Sequence, residues 1–336
     1  MNFFHLCCTE LKLKIIYVHL HEYLIKSTSM ARMAFFENIS TAGKIFLLLG
    51  LIFLCTLLTA FIGFLIGKLY LGVDMAMLGN YIAEPKTSEA IAFTRFFQSL
   101  SQVGTFILPV LFFSYLVSSN PFHYLKLVDK PKTISLSVSF LIVFTILPFI
   151  NYLEYINQHF HLPDMLAGIE EWIKEKEAAA AYLTTVIIKT KTFPGLLMSI
   201  LIAAVLPAIG EELLFRGVIL KLTNDITKHI HWAIIISAVL FSAFHLQFYG
   251  FLPRFALGLV LGYVFVITNN IWVPVFLHFV NNASAIIVFN LHYNGYIKTS
   301  MEDFGALDNP VYVIGSLLIT LWMISIIYNK ERFSFK

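Results

Sequence analysis

Long apolar runs separated by short polar ones dominate the chain beyond residue 33. Uncharged stretches extend from Ile45 to Gly67, Phe96 to Val117, Ile134 to Tyr152, Trp232 to Leu246, Phe255 to Thr268, Trp272 to Leu291 and Val311 to Tyr328. An eighth run, Leu196 to about Leu222, is apolar except for one polar cluster near its middle. A helix crosses about 30 Å of hydrocarbon with roughly 20 such residues. The pattern therefore predicts an all-α fold: a polytopic membrane helical bundle of about eight transmembrane helices, with the polar cluster inside it. Pro109 predicts a kink in the second run. Asn269-Asn270 predicts a tight turn between the runs Phe255 to Thr268 and Trp272 to Leu291. Gly258 and Gly262, four apart, allow a close helix approach.

One segment is wetter. Leu162 to Lys191 contains Glu170-Glu171-Trp172-Ile173-Lys174-Glu175-Lys176-Glu177 followed by Ala178 to Ala181. Its charges and alanines favour a helix outside the spans. Trp172, Leu183, Val186 and Ile187 can rest it on the membrane interface, or it is an ordinary solvated helix. No internal repeat is visible, which counts against many transporter folds.

Composition agrees with the pattern. The chain of 336 residues is 58% hydrophobic and 13% charged, with a mean hydropathy of +0.79, against about 45–50% and about 25% in soluble domains. A net charge of +3 spread over loops gives no basis for nucleic-acid binding. Cys7, Cys8 and Cys55 form no disulfide or metal framework. Residues 1–33 mix lysines with short apolar patches and hold no clean signal peptide. With Met30 and Met33 close by, they read as a doubtful N-terminal extension. Counting basic residues on the two sides of eight spans gives thirteen against nine, which places both termini in the cytoplasm.

The chemistry lies in Leu206-Pro-Ala-Ile-Gly-Glu-Glu-Leu-Leu-Phe-Arg-Gly217. Uncharged residues from Phe193 to Gly210 run straight into Glu211, Glu212 and Arg216. On insertion scales three ionised groups at mid-membrane would burden one helix by about 8–10 kcal/mol. Glu212 and Arg216 are i,i+4 and can pair; Glu211 has no basic partner on its own helix. Three later polar residues sit where lipid is expected: His245 after Phe241-Ser-Ala-Phe, and His278 with Asn282 at i,i+4 on one helical face. Intramembrane polar groups face a bundle interior or a wet cavity, so these four are expected to converge. A carboxylate and an imidazole sharing a water make a general base. A His beside an Asn can donate to the oxygen of a tetrahedral intermediate. Glu211, His245 and His278 also suffice in number for a three-ligand zinc site. No His-Glu-x-x-His, Gly-x-Ser-x-Gly or phosphate loop is present.

Glu211-Glu212-x-x-x-Arg216, Phe241-x-x-x-His245 and His278-x-x-x-Asn282 together resemble the three motifs of the CAAX protease and bacteriocin-processing family, the glutamic intramembrane proteases related to the prenyl-protein endopeptidase. The resemblance covers roughly Leu196 to Leu291 and the eight-span layout; the N-terminal half carries no such signal. It implies that Glu211 is the catalytic base, that His245 orients or activates water, and that His278 and Asn282 form the oxyanion site. Glu212, Arg216 and Phe241 are implied as supporting residues. It implies a metal-independent site without cofactor, a peptide or membrane-protein substrate, the lipid bilayer as surroundings, and a bacterial cytoplasmic membrane as location. The chain accordingly divides into the extension 1–33, spans one to three with the interfacial helix at 34–192, a catalytic membrane core at 193–292, and a final span with its tail at 293–336. Two other functions compete: a transporter or proton relay using the same polar residues, and a non-catalytic immunity or scaffold protein of the family.

Overall fold

The computed structural model describes residues 34–72, 75–301, 303–307 and 309–332. The expectations for residues 1–33, including Cys7, Cys8 and the alternative starts, lie outside them. Among the described residues every regular element is a helix. The principal ones are α1 (Thr41–Leu71), α2 (Ser88–Val117), α3 (Thr133–Thr145), α4 (Leu147–Gln158), α5 (Ala167–Ile188), α6 (Phe193–Thr227), α7 (Ile230–Phe244), α8 (Phe251–Thr268), α9 (Trp272–Tyr293) and α10 (Pro310–Arg332). Their ends follow local chemistry. Ser40 accepts from the Gly43 amide at the start of α1, and Gly72 closes that helix at φ 66°. Asn269 ends α8 at φ 50° and Asn270 Oδ1 accepts from the Trp272 amide, forming the expected turn.

Six of these helices are long and apolar enough to span a membrane, and α3 with α4, bent by 44° at their junction, is long and apolar enough for a seventh when the pair is taken as one span. The bend follows from Pro148, which cannot donate to the carbonyl four residues earlier. The remaining expected span, Trp232 to Leu246, is α7, whose 15 residues reach only about 22 Å. The chain is thus an integral multi-pass membrane bundle, with one broken span and one short one. Pro109, the predicted kink, stands just after a π turn at Val103–Ile107 in the helix Ser88–Val117.

In lipid, helices gain from close packing rather than from leaving water. The glycines permit this. A Cβ at Gly258 would lie 3.2 Å from the Ala238 Cα, and one at Gly262 2.9 Å from Ile234 Cγ2, so α8 lies directly on α7. Gly210 admits the Phe106 side chain of α2 in the same way, with 2.8 Å to its Cβ. The resulting core runs through Phe106, Phe113, Leu214, Phe215, Ile234 and Phe241. α5 forms the expected helix outside the spans. Trp172 stays exposed, whereas Ile187, expected at the interface, is buried with Ile188 against Ile202 and Ile286. The physical reason is Arg95 of α2, whose Nε donates to the Ile187 carbonyl and Nη2 to that of Lys189. It satisfies carbonyls left open at the helix end and pulls that end into the bundle.

Candidate active site

α6 carries Glu211 and Glu212 between two π turns, Leu201–Val205 and Phe215–Ile219, and Arg216 within the second. Such turns are frequent at functional sites. Glu211, Glu212 and Arg216 are all buried in the bundle. Glu212 and Arg216 are fully buried, and their expected i,i+4 pair is formed at 2.8 Å. Arg216 Nη2 donates to the Gly258 carbonyl at 3.0 Å, and its guanidinium lies 4.7 Å from the centre of the Phe241 ring. The close approach at Gly258 therefore also delivers a carbonyl to the buried cation. The same Phe241 ring lies 5.3 Å from the His245 ring and 5.9 Å from that of His278.

Glu211 is built differently. Its carboxylate is buried, and Oε2, like Glu212 Oε2, has no hydrogen-bond partner. Oε2 stands 4.0 Å from His245 Nε2 and 4.0 Å from His278 Nε2. Each imidazole is held from behind. His245 Nδ1 is 2.9 Å from the Phe241 carbonyl, and His278 Nδ1 is 2.9 Å from Glu212 Oε1. A carbonyl or carboxylate oxygen only accepts, so both Nδ1 atoms carry the proton and both Nε2 atoms turn toward Glu211. The bond from His278 to Glu212 was not foreseen from the sequence. It makes Glu212 a bridge between Arg216 and the ring that faces Glu211.

Asn282 lies one turn beyond His278 on α9 and lines the same cavity. Its Nδ2 donates to the Ala203 carbonyl at 3.3 Å. That carbonyl stands four residues before Pro207, which has no N–H to give it. Asn281 Nδ2 donates to Asn282 Oδ1 at 3.1 Å, so the two bonds together set the amide's orientation and leave its second hydrogen for another acceptor. The cavity, about 310 Å³, brings Glu211, Phe241, His245, His278 and Asn282 together; Glu212 and Arg216 support it from behind. Gln98, Gln102, Asn281 and Arg254 also line it and were missed. Gln98 and Gln102 lay open to the same argument as the histidines, being amides one turn apart within an apolar run. Glu211, His245 and His278, equal in number to a zinc ligand set, form no cluster with metal-holding geometry among the described residues.

Comparison with protein families gives one match: residues 193–284 fit the model described as Type II CAAX prenyl endopeptidase Rce1-like. The match spans α6 to the middle of α9, takes in all seven motif residues, and bears out the family resemblance read from them. Neither a curated protein nor a solved structure matches the chain.

Proposed function

We propose, on the premise that residues 193–284 form a Type II CAAX prenyl endopeptidase Rce1-like segment, that this protein is an intramembrane endopeptidase. It hydrolyses a peptide bond of a membrane-associated or lipid-modified protein or peptide by direct attack of water. The observation that carries this reading is Glu211 Oε2, buried without a partner and 4.0 Å from the Nε2 atoms of both histidines. That separation is too long for a direct hydrogen bond. It suits a water donating one hydrogen to the carboxylate and the other to His245 Nε2, each at about 2.8 Å.

In the reaction the water oxygen bonds to the scissile carbonyl carbon while its proton passes to Glu211. The carbonyl oxygen takes up the displaced electron pair. The free hydrogen of Asn282 Nδ2 is one donor to that oxyanion, and His278 Nε2 is the second when the ring is doubly protonated. Glu212, already on Nδ1, offsets the positive ring. Collapse of the intermediate breaks the C–N bond, and the proton held by Glu211 goes to the departing amine. The carboxylates of Glu211 and Glu212 lie among Arg216, Arg254 and the His278 ring. Burial of so many ionisable groups is tolerable because they compensate one another.

The test is incubation of the purified chain, in lipid, with a peptide library and identification of products by mass spectrometry. Cleavage at defined bonds, absent with Glu211→Gln, is expected. Cleavage that persists with Glu211→Gln would reject Glu211 as the base, and no cleavage of any membrane-bound peptide would reject the hydrolase.

A further inference from the structure

We infer that Arg254 is the substrate anchor of this cavity and that it takes a carboxylate of the bound peptide; the inference deepens the endopeptidase reading and rests on it. Among the lysines and arginines of the described residues, Arg254 alone lines the cavity that holds Glu211, His245 and His278. It belongs to the first turn of α8. A cation there is opposed by the positive end of the helix dipole, so the fold does not gain from its charge locally. Nor is the guanidinium consumed by internal bonds. Nη2 donates to Gln247 Oε1, while Nη1 is buried with no hydrogen-bond partner. Arg216, the other guanidinium near the site, also has one unpartnered nitrogen, Nε, but it is paired with Glu212 and the Gly258 carbonyl and does not line the cavity.

The surroundings hold Arg254 in place. A Cβ on Gly250 would collide with its guanidinium, so the absent side chain makes room for it. The loop just before it is fixed from α5, where Glu177 Oε1 accepts from the Tyr249 amide at 2.8 Å. Glu154, Glu177 and Glu211 all act on Arg254 through their fields, which keeps the cation tolerable before substrate arrives. Besides Glu211 Oε2, another cavity-lining atom is in the same condition: Gln102 Oε1 is buried without a partner. It supplies an acceptor for a peptide N–H where Arg254 supplies donors. A guanidinium with open N–H groups beside a helix N-terminus is matched to a carboxylate. Two carboxylates of a peptide fit that chemistry, the free C-terminus and an acidic side chain.

Binding tests this without requiring turnover. Fluorescein-labelled peptides from the library bind the Glu211→Gln chain in lipid nanodiscs, read by anisotropy. Each peptide is compared with its C-terminal amide and with its Asp or Glu changed to Asn or Gln. Removing one charge-assisted hydrogen bond is expected to weaken binding about 10- to 100-fold. In the Arg254→Gln background the same chemical change should cost less than about twofold, because the partner is already gone. The amide arm identifies the C-terminal carboxylate and the side-chain arm an acidic residue. Gly250→Ala keeps the charge but displaces the guanidinium, and should give the same loss of carboxylate preference if Arg254→Gln fails to fold. Equal weakening with and without Arg254, or no carboxylate preference in either arm, overturns the anchor. Carboxylate-dependent binding without cleavage by the unmutated chain would keep the anchor and reject the hydrolase.

Discussion

Two helices carry a similar local pattern and use it differently. α5 has Glu170-Glu171 followed by Lys174, and α6 has Glu211-Glu212 followed by Arg216. Both make an i,i+4 ion pair, Glu170 with Lys174 at 2.7 Å and Glu212 with Arg216 at 2.8 Å. The spacing that makes the pairs is identical in kind. Their settings are not: the Lys174 side chain is 55% exposed and that of Arg216 1%. On α5 the neighbouring acid, Glu171, is exposed to solvent. On α6 the neighbouring acid, Glu211, is buried facing two imidazoles. Helical geometry sets who can pair with whom; the medium decides whether the leftover carboxylate is idle or reactive.

The largest break in this comparison is Glu211→Gln. It keeps shape and removes the base, so cleavage should fall by about three orders of magnitude or more while detergent melting stays near that of the unmutated chain. Glu171→Gln on α5 should alter neither. A melting loss for Glu211→Gln as large as its activity loss would make Glu211 a structural residue. Next comes Glu212→Ala, which strands Arg216 and removes the partner of His278 Nδ1 together. Loss of one member of a buried pair costs about 3–5 kcal/mol, so the yield of folded protein should drop. A double variant, Glu212→Leu with Arg216→Met, should recover yield without recovering cleavage. Full stability of Glu212→Ala would sink the account of the buried pair. Smaller again is Asn282→Ala, expected to lower kcat by about 10²–10³-fold with KM little changed. Asn282→Asp places a negative charge where the oxyanion forms and should be worse. Equal kcat in all three proteins would leave His278 as the sole donor.

Much of this was legible in the sequence. Uninterrupted apolar runs placed the helices, because in lipid each backbone must satisfy itself. Glu211, His245, His278 and Asn282 stood out because polar groups are costly there. What stayed hidden has a common cause. The bond from His278 to Glu212, the match of Asn282 to the carbonyl bared by Pro207, and the entry of Arg254 into the cavity all join one helix to another, and are fixed by rotation and depth. The π turns of α6 alter that rotation without a residue type that announces them. The bend between α3 and α4 is different, since Pro148 is visible within the run Ile134 to Tyr152. The burial of Ile187 was hidden because Arg95, which draws it in, lies 92 positions away in sequence.

The smallest expected effect lies on α5 and concerns pH. Hydrogen bonds from Lys174, His161 and the Leu162 amide hold the Glu170 carboxyl down at about 2. A carboxyl in the unfolded chain titrates near about 4.3. Because the folded value is the lower one, the interaction stabilises fully above the unfolded value and fades as pH falls toward about 2. Exposure and salt screening keep its contribution small, so the melting of the whole protein should not register it. One amide should. The Leu162 N–H donates to Glu170 Oε2 at 3.0 Å, so its protection against hydrogen exchange, corrected for intrinsic rates, should hold from about pH 7 to about pH 5. It should then decline between about pH 4 and about pH 2, and Glu170→Gln should lower it already at neutral pH. Added salt should weaken it on α5, while leaving the folded yield that depends on Glu212 and Arg216 unchanged. Protection of Leu162 that ignores pH and survives Glu170→Gln would mean the loop before α5 is held by packing alone, and the parallel between the two helices would end at their spacing.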